Sequence, residues 1–422
     1  MPILQAWKFW ERDRIPILAQ HWDRENYIPL KPHELARRLK NSIATSSTSG
    51  GSNSLEDRRI EFSEKAARIT EWAHQHYRER RELLLDNYDE YDPDAEVQHV
   101  PDFVSDNAKS TNVLETYRNL LGSISTSLHT ANYRRLKPLE IQEALTAASH
   151  WGVKLRIRFS SFRHLEVHAR GDIVAKRTRR NWREGFRLQD FDVPVYQRLV
   201  VVFRTKELQN LPDLVDPNCI YLRMFKNIPK ADVDMMLPGS QIRLNWTDTG
   251  RIGIPTIWGL VTLASKLVKS FWLIAILGVF KILSSFVLIA AIVVASLVYG
   301  VKTIFSYSTT KRRYQLSIAR NLYYQNLDNN LGALLRIIEE AEQQEVCEAL
   351  VAYFVLSSAG NQAMHRNEID AKAELLLKVI TCLDIDFDVD DALRDLVSIG
   401  IVRPVEEGWL AADFGPSQRR SE

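Results

Sequence analysis

Apolar and polar residues alternate with a period of two in the middle of the chain, which predicts β-strands there. The alternating stretches are rich in Val, Ile and aromatic residues, as strands with one buried face are. They cover residues 154–159, 164–170, 195–205 and 219–225.

Apolar residues recur at helical spacing before these strands. The longest such segment is 55–90, where four apolar residues share one helix face: Phe62, Ala66, Ile69 and Trp72. Two further helices are predicted near 110–129 and 137–149. Helices followed by strands predict an α+β lobe with a mainly antiparallel sheet over 55–250. Residues 1–54 are an N-terminal segment that ends in the flexible linker IATSSTSGGSNS.

An almost unbroken apolar run follows at 254–304. Its second part, 282–301, is twenty residues long and carries no charge. A helix of that length covers about 30 Å, which matches the hydrocarbon core of a bilayer. The run therefore predicts a membrane-inserted segment over 251–306.

Two arrangements of this run stay open. Its first part contains Lys266 and Lys269, and a lysine at the bilayer centre costs about 3 kcal/mol. One arrangement is a transmembrane helical hairpin with the legs 254–280 and 282–304. The other is one span, 271–301, preceded by a helix in the interface. We adopt the hairpin, because the run is too long for one span.

A short amphipathic helix is predicted before the run, in KNIPKADVDMMLPG. Pro229 suits its first turn, and Val233, Met236 and Leu237 form one apolar stripe. Such a helix lies at the membrane interface or packs on the sheet.

The region after the run, 307–422, predicts a helical lobe. A long helix is followed by helices at 345–357, 368–381 and 389–399, and then by a hairpin that turns at Glu407-Gly408. Three helices and a hairpin are the order of a winged-helix domain. The fold class predicted is an α+β membrane protein, with an N-terminal helical and antiparallel-sheet lobe, a transmembrane hairpin and a winged-helix-like lobe.

Net charge and cysteine content exclude several classes of protein. The 55 Lys and Arg nearly balance 53 Asp and Glu, so no overall basic field favours nucleic acid. The predicted recognition helix carries Asp388, Asp390, Asp391 and Asp395, which phosphates repel. The three cysteines show no paired spacing, so neither a zinc site nor a disulfide framework is predicted.

Several segments resemble the transmembrane-protein-143-like family, a group of uncharacterised membrane proteins. The resemblance covers roughly 22–412 and is carried by RENYIPL, VYQRLVVVFR, YLRMFKNIPKADVDMMLPG, IGIPTIWG and above all YQLSIARNLYYQNLDNNLGALLRIIEEAEQQE. It implies an integral membrane protein with no assigned activity and no known catalytic residues. The N-terminus resembles no transit peptide, which favours a bacterial inner membrane.

Two groups of residues are candidates for a site. His164, Glu166 and His168 alternate along a predicted strand and share one face, where two imidazoles and a carboxylate are able to bind iron or zinc. The alternative is an ordinary half-exposed strand, since Leu165 and Val167 point the other way.

The second group is basic. Lys176, Arg177, Arg179, Arg180 and Arg183 lie between predicted strands around Trp182. They are typical of a solvated hairpin tip, of contact with anionic headgroups or of RNA binding. Lys311, Arg312 and Arg313 follow the apolar run and mark its cytoplasmic side. Both termini are then cytoplasmic.

We expect a multi-pass membrane protein that acts as a non-enzymatic scaffold or assembly protein. No phosphate loop, nucleophile elbow or dinucleotide fingerprint is present in the sequence, and no cofactor is predicted. The expected partners are the bilayer and either a protein or a second copy of the chain, and not nucleic acid. A metal-dependent membrane enzyme that uses the His164 face and an oligomeric transport component are the alternatives.

Overall fold

The structure is a computed structural model, and its described residues fall into two compact units. It describes residues 24–45, 52–95, 107–137, 140, 153–156, 159–181, 187–206, 216–230, 233, 236, 241–244, 323–360, 362–406 and 408–411, with isolated positions between 265 and 316. The larger unit comprises Met1–Leu136, Ser161–Lys230 and Asn326–Glu422. The smaller comprises Lys137–Ser160 and Ala231–Gln325.

The larger unit is built on a five-stranded antiparallel sheet. Its strand order is β1-β3-β4-β5-β7. The strands are β1 (Arg134–Arg135), β3 (Phe162–Asn181), β4 (Arg187–Thr205), β5 (Tyr221–Pro229) and β7 (Asn326–Asn329). The smaller unit contributes an antiparallel pair, β2 (Val153–Arg156) with β6 (Gln241–Leu244), and a short 3-10 helix covers Phe159–Ser161.

Three helices cover one face of the five-stranded sheet. They are α2 (Ser52–Asp89), α3 (Asn107–Thr130) and α4 (Asn330–Ser358). Alternate strand residues, such as Val200, Val202 and Leu222, bury their side chains against these helices, as period-two patterning requires. This helix-on-sheet core confirms the predicted α+β class with an antiparallel sheet.

A second core joins an early and a late part of the chain. It packs α1 (Pro32–Thr45) and α2 against α4, α5 (Arg366–Thr381) and α6 (Val389–Ser398). Leu35 and Leu39 of α1 are fully buried in it. The segment before α1 is held by Glu25, whose N–H donates to the carbonyl of Asp384 at 3.2 Å and whose carbonyl accepts from the N–H of Asp386 at 2.7 Å.

The C-terminal part has winged-helix connectivity. Helices α4, α5 and α6 are followed by the hairpin β8 (Val402–Val405) and β9 (Gly408–Ala411). Met364, between α4 and α5, pairs with Trp409 of β9 as an isolated bridge, through two backbone hydrogen bonds of 2.9 and 3.0 Å. These elements share the second core with α1 and α2 instead of forming a lobe of their own.

A strand interrupts the long helix that the sequence pattern predicts after the apolar run. The stretch Asn326–Asn329 is strand β7, and α4 begins at Asn330. At this point Asn330 has a left-handed φ of 47° and is held by two residues that are distant in the chain. Its side-chain amide donates to Asp94 at 2.6 Å and its side-chain oxygen accepts from the N–H of Leu222 at 3.3 Å. From there α4 runs unbroken to Ser358, where the pattern predicts two helices.

The membrane part of the predicted fold class is contradicted. Among the helices in the described part of the chain, none combines the length and apolar character needed to cross a bilayer. The predictions of a multi-pass protein and of a bacterial inner membrane are withdrawn with it, whereas a bilayer as partner stays a prediction. The segment 251–306 on which they were based lies outside the described residues, except for isolated positions.

Candidate functional site

The outer side of α5 carries apolar side chains in solvent. Ile369, Ala373 and Leu377 face the second core and are fully buried, which places Leu375 and Val379 on the opposite side of the helix. These two side chains are 65% and 73% exposed. Four residues apart on a helix, they are neighbours and form one stripe.

A groove lies beside this stripe. Phe354, Val355, Ser358 and Ala359, at the end of α4, line it together with Lys372 and Leu376 of α5, and its volume is about 270 Å³. Leu376 follows Leu375 in the chain and is partly buried against the second core. We call the stripe of Leu375 and Val379 and this groove the α5 face.

Two lysines flank the stripe. The ammonium of Lys372 lies 2.8 Å from a carboxylate oxygen of Glu368, and that of Lys378 lies 3.2 Å from one of Asp384. All four side chains are more than half exposed, at 51–59% of their surface. Exposed pairs of this kind contribute about 1 kcal/mol or less, so the lysines are able to exchange their partners at little cost.

Contacts at both ends hold α5 in place. Arg366 donates two hydrogen bonds of 2.5 Å to the carboxylate of Asp390 on α6, and this guanidinium lowers the pKa of Asp390. At the other end, Arg38 of α1 donates to the carbonyl of Ile380 at 3.0 Å. Arg24 pairs with Glu374 at 2.6 Å. The α5 face is therefore presented on a fixed helix, which reduces the entropy lost when a partner binds.

Helix α6, which occupies the place of the predicted recognition helix, is acidic. Asp388 caps it by accepting from the N–H of Asp390 at 3.2 Å, and Arg394 pairs with Asp391 at 2.8 Å. Burial, followed by repulsion from the carboxylate of Glu345, raises the pKa of Asp395 to about 7. With three further aspartates around the lone arginine, the helix repels a phosphate backbone.

The structure brings His164, Glu166 and His168 of β3 together. Nε2 of His168 lies 3.1 Å from one oxygen of Glu166, and Nε2 of His164 lies 3.5 Å from the other. Arg135 of β1 pairs with the same carboxylate at 3.1 Å. The hydrogen bond from His168 is the main cause that lowers the pKa of Glu166, and burial lowers that of His164.

This cluster joins two strands through ion pairs. The guanidinium of Arg135 occupies the carboxylate of Glu166 that a metal would need. Within the described ranges, no group of three His, Cys, Asp or Glu is arranged to hold a metal ion. Sequence spacing places the three residues on one face, whereas Arg135 reaches them only through the pairing of β1 with β3.

The predicted basic residues are spread over a strand and beyond it. Lys176 is exposed, and Arg177, Arg179 and Arg180 belong to β3, which continues to Asn181 and pairs with β4. The first of the two strands therefore extends further than predicted, to Asn181, and takes in part of the predicted loop. Arg312 is an isolated exposed position. The other three, Arg183, Lys311 and Arg313, lie outside the described residues.

Residues 196–332 match the profile of a family described as "Protein of unknown function (DUF3754)". The match begins in β4 and ends in the first turn of α4. No curated protein and no solved structure matches the chain. The molecular function is therefore unknown, and the resemblance to the transmembrane-protein-143-like family stays a prediction.

Proposed function

We propose that this protein is a non-enzymatic assembly protein that binds a partner protein at the α5 face. The observation that supports this proposal is the exposure of Leu375 and Val379 beside an apolar groove on a helix whose other side is fully buried. Contiguous exposed apolar surface of this kind marks interaction sites.

The chemistry of the face indicates the kind of partner. A stripe with anchors four residues apart and a groove next to it suit an amphipathic helix laid across them. Lys372 and Lys378 flank the stripe and suit carboxylates beside the partner's apolar residues. We therefore propose a partner helix with a leucine-type stripe bordered by Asp or Glu.

Site-specific photo-crosslinking in the native host tests this proposal. The full chain carries a photo-reactive residue at position 375 or, as the matched control, at Leu83, which is 66% exposed on α2. We expect one other protein to crosslink from position 375 and not from position 83, and we expect Val379→Glu to abolish that crosslink.

Mass spectrometry then identifies the crosslinked segment, and a synthetic peptide of that segment should bind the purified chain. Fluorescence anisotropy should show binding weakened at least tenfold by Leu375→Ala. Crosslinks only to a second copy of the chain, or equal crosslinks from positions 375 and 83, would contradict the proposal.

A further inference from the structure

A polar pocket of about 440 Å³ lies in the larger unit, apart from the α5 face. The segment before α1, strands β3 to β5 and helix α4 surround it. Three of its residues are arginines from three different elements, Arg170, Arg198 and Arg336. A cavity of this size holds a small organic molecule.

Arg170 is the most deeply buried of the three, at 8% exposure. Its guanidinium lies between two aromatic rings, 4.9 Å from the centre of Tyr27 and 4.6 Å from that of Tyr133. It donates to the carbonyl of Ala131 at 3.0 Å and pairs with Glu340 at 2.9 Å. This cation is satisfied within the protein and forms a rigid wall of the pocket.

One carboxylate is shared by all three guanidinium groups. Besides Arg170, Glu340 has Arg198 at 3.7 Å and Arg336 at 3.9 Å, and it accepts a hydrogen bond of 2.6 Å from the hydroxyl of Tyr133. Asp328 pairs with Arg336 at 2.6 Å. Two carboxylates therefore face three guanidinium groups, which leaves one positive charge uncompensated.

The remaining charges of the lining do not change this balance. Lys31 adds one positive charge and Glu339 one negative charge. The lining itself carries four positive and two negative groups, and Asp328, just outside it, offsets one more, so the pocket retains an excess of positive charge that favours a bound anion.

Nε of Arg198 lacks an acceptor, whereas a terminal nitrogen of the same guanidinium donates to the carbonyl of Gln197 at 3.2 Å. Its Nε–H is buried and has no hydrogen-bond partner among the described residues, because the nearest oxygen of Glu340 is 3.7 Å away. A buried donor left without an acceptor costs about 1–3 kcal/mol. A ligand oxygen at this guanidinium would remove that cost.

The strands are irregular at the edge of the pocket. Gly171, Gln197 and Asn227, on three neighbouring strands, are left out of the pairing between those strands. Gly171 and Asn227 have left-handed φ angles of 73° and 53°. The hydroxyl of Tyr27 donates to the side-chain oxygen of Gln197, which lies over Gly171. Left-handed non-glycine residues such as Asn227 are costly, and they concentrate at functional sites.

We propose that this pocket binds a small organic oxyanion, with Arg198 and Arg336 as its ligands. A carboxylate or a phosphate matches the planar fork of an arginine. The bound oxyanion accepts a hydrogen bond from Nε of Arg198 and offsets the excess positive charge of the pocket. The pocket lies where the segment before α1 meets α4, since Gln344 of α4 exchanges hydrogen bonds of 2.8 and 3.1 Å with the backbone of Ile28.

Titration calorimetry on the full chain at constant ionic strength tests the site with two probes, succinate and inorganic phosphate. We expect saturable binding of at least one probe and a dissociation constant at least tenfold larger for Arg198→Gln. Arg118→Gln, on the exposed side of α3, is the matched control and should leave binding unchanged. The tighter probe distinguishes a carboxylate ligand from a phosphate ligand.

A second measurement uses the unaltered protein and so does not depend on the folding of a variant. Phenylglyoxal modifies accessible arginines, and the side chain of Arg198 is 30% exposed. Saturating probe should slow the modification of Arg198 at least fivefold and leave that of Arg118 unchanged. The proposal would be overturned if neither probe bound. It would also be overturned if a probe bound but Arg198→Gln did not weaken its binding and the probe did not protect Arg198 from phenylglyoxal. Neither result bears on the α5 face.

Discussion

The oxyanion pocket and the α5 face reverse the usual distribution of side chains in different ways. The pocket places charged groups such as Arg170 and Glu340 in the interior, whereas the α5 face places Leu375 and Val379 in solvent. Burying charge and exposing apolar surface are both unfavourable for an isolated chain. The difference is in what holds each site together, since the pocket depends on strands, a helix and a segment that are distant in the chain, and the α5 face on two consecutive helices.

This contrast predicts that substitutions in the pocket change stability strongly, while those on the α5 face change binding only. The largest effect is expected at Glu340. Glu340→Gln leaves Arg170 buried without its ion pair, and the free energy of unfolding should fall by about 3–5 kcal/mol. Urea unfolding measures the loss.

Glu342→Gln is the control for this experiment. Glu342 contacts the exposed His74 at 3.2 Å, so its loss should cost about 1 kcal/mol or less. Equal losses for the two variants would show that the charges of the pocket are not mutually dependent.

The buried Glu25, next to the irregular strands, should make stability depend on pH. Burial, with repulsion from Asp172, raises the pKa of Glu25 to about 7 from an ordinary 4.5. The folded protein then retains a proton that the unfolded chain has lost. The free energy of unfolding should fall as pH rises from about 4.5 to about 7, by at most about 3 kcal/mol.

Glu25→Gln should remove this part of the pH profile. Urea unfolding of both proteins at intervals between pH 4.5 and 8 gives the difference curve. Asp395→Asn, at another carboxyl whose pKa burial raises to about 7, should retain the contribution of Glu25. Parallel profiles for Glu25→Gln and the wild type would refute the assignment to Glu25.

A smaller effect is expected at Gly171. A Cβ there would lie 2.7 Å from Cβ of Gln197, and the left-handed φ adds strain, so Gly171→Ala should cost about 1–3 kcal/mol. Gly122→Ala is the counterpart, because Gly122 lies in α3 with nothing within 4 Å of a new Cβ. Thermal unfolding should show that only the first change is destabilising, since alanine favours a helix.

The smallest change in stability is expected on the α5 face. The double variant Leu375→Ser and Val379→Ser should alter the free energy of unfolding by less than about 1 kcal/mol, because both side chains are already in solvent. Leu377→Ala, on the buried side of the same helix, should cost about 2–5 kcal/mol. A large loss in the double variant would mean that the face supports the fold instead of a partner.

Local patterns predict the sheet and most helices, because each depends on neighbouring residues. Alternation correctly predicts strands within β3 and β4. The beginning of α4 escapes the pattern, since Asn330 is diverted by Asp94, more than two hundred residues earlier. A partner so far away leaves no local signal.

The candidate sites were only partly accessible to sequence reasoning. The run of three leucines, 375–377, does not reveal which one faces the core, and packing against α4 and α6 decides that Leu377 does. The grouping of Arg170 with Glu340 depends on tertiary structure alone, because periodicity relates only nearby residues.

The backbone hydrogen bonds between Glu25 and the residues on either side of Ile385 can form only after the later segment has been synthesised. At about 5–20 residues per second, the ribosome needs about 20–70 s to reach this later segment. Until then, Leu35 and Leu39 of α1 lack the later helices of the second core, α4 to α6, although α2 is already made. Helix α1 therefore keeps part of its apolar side uncovered during synthesis, and a holding chaperone would protect it.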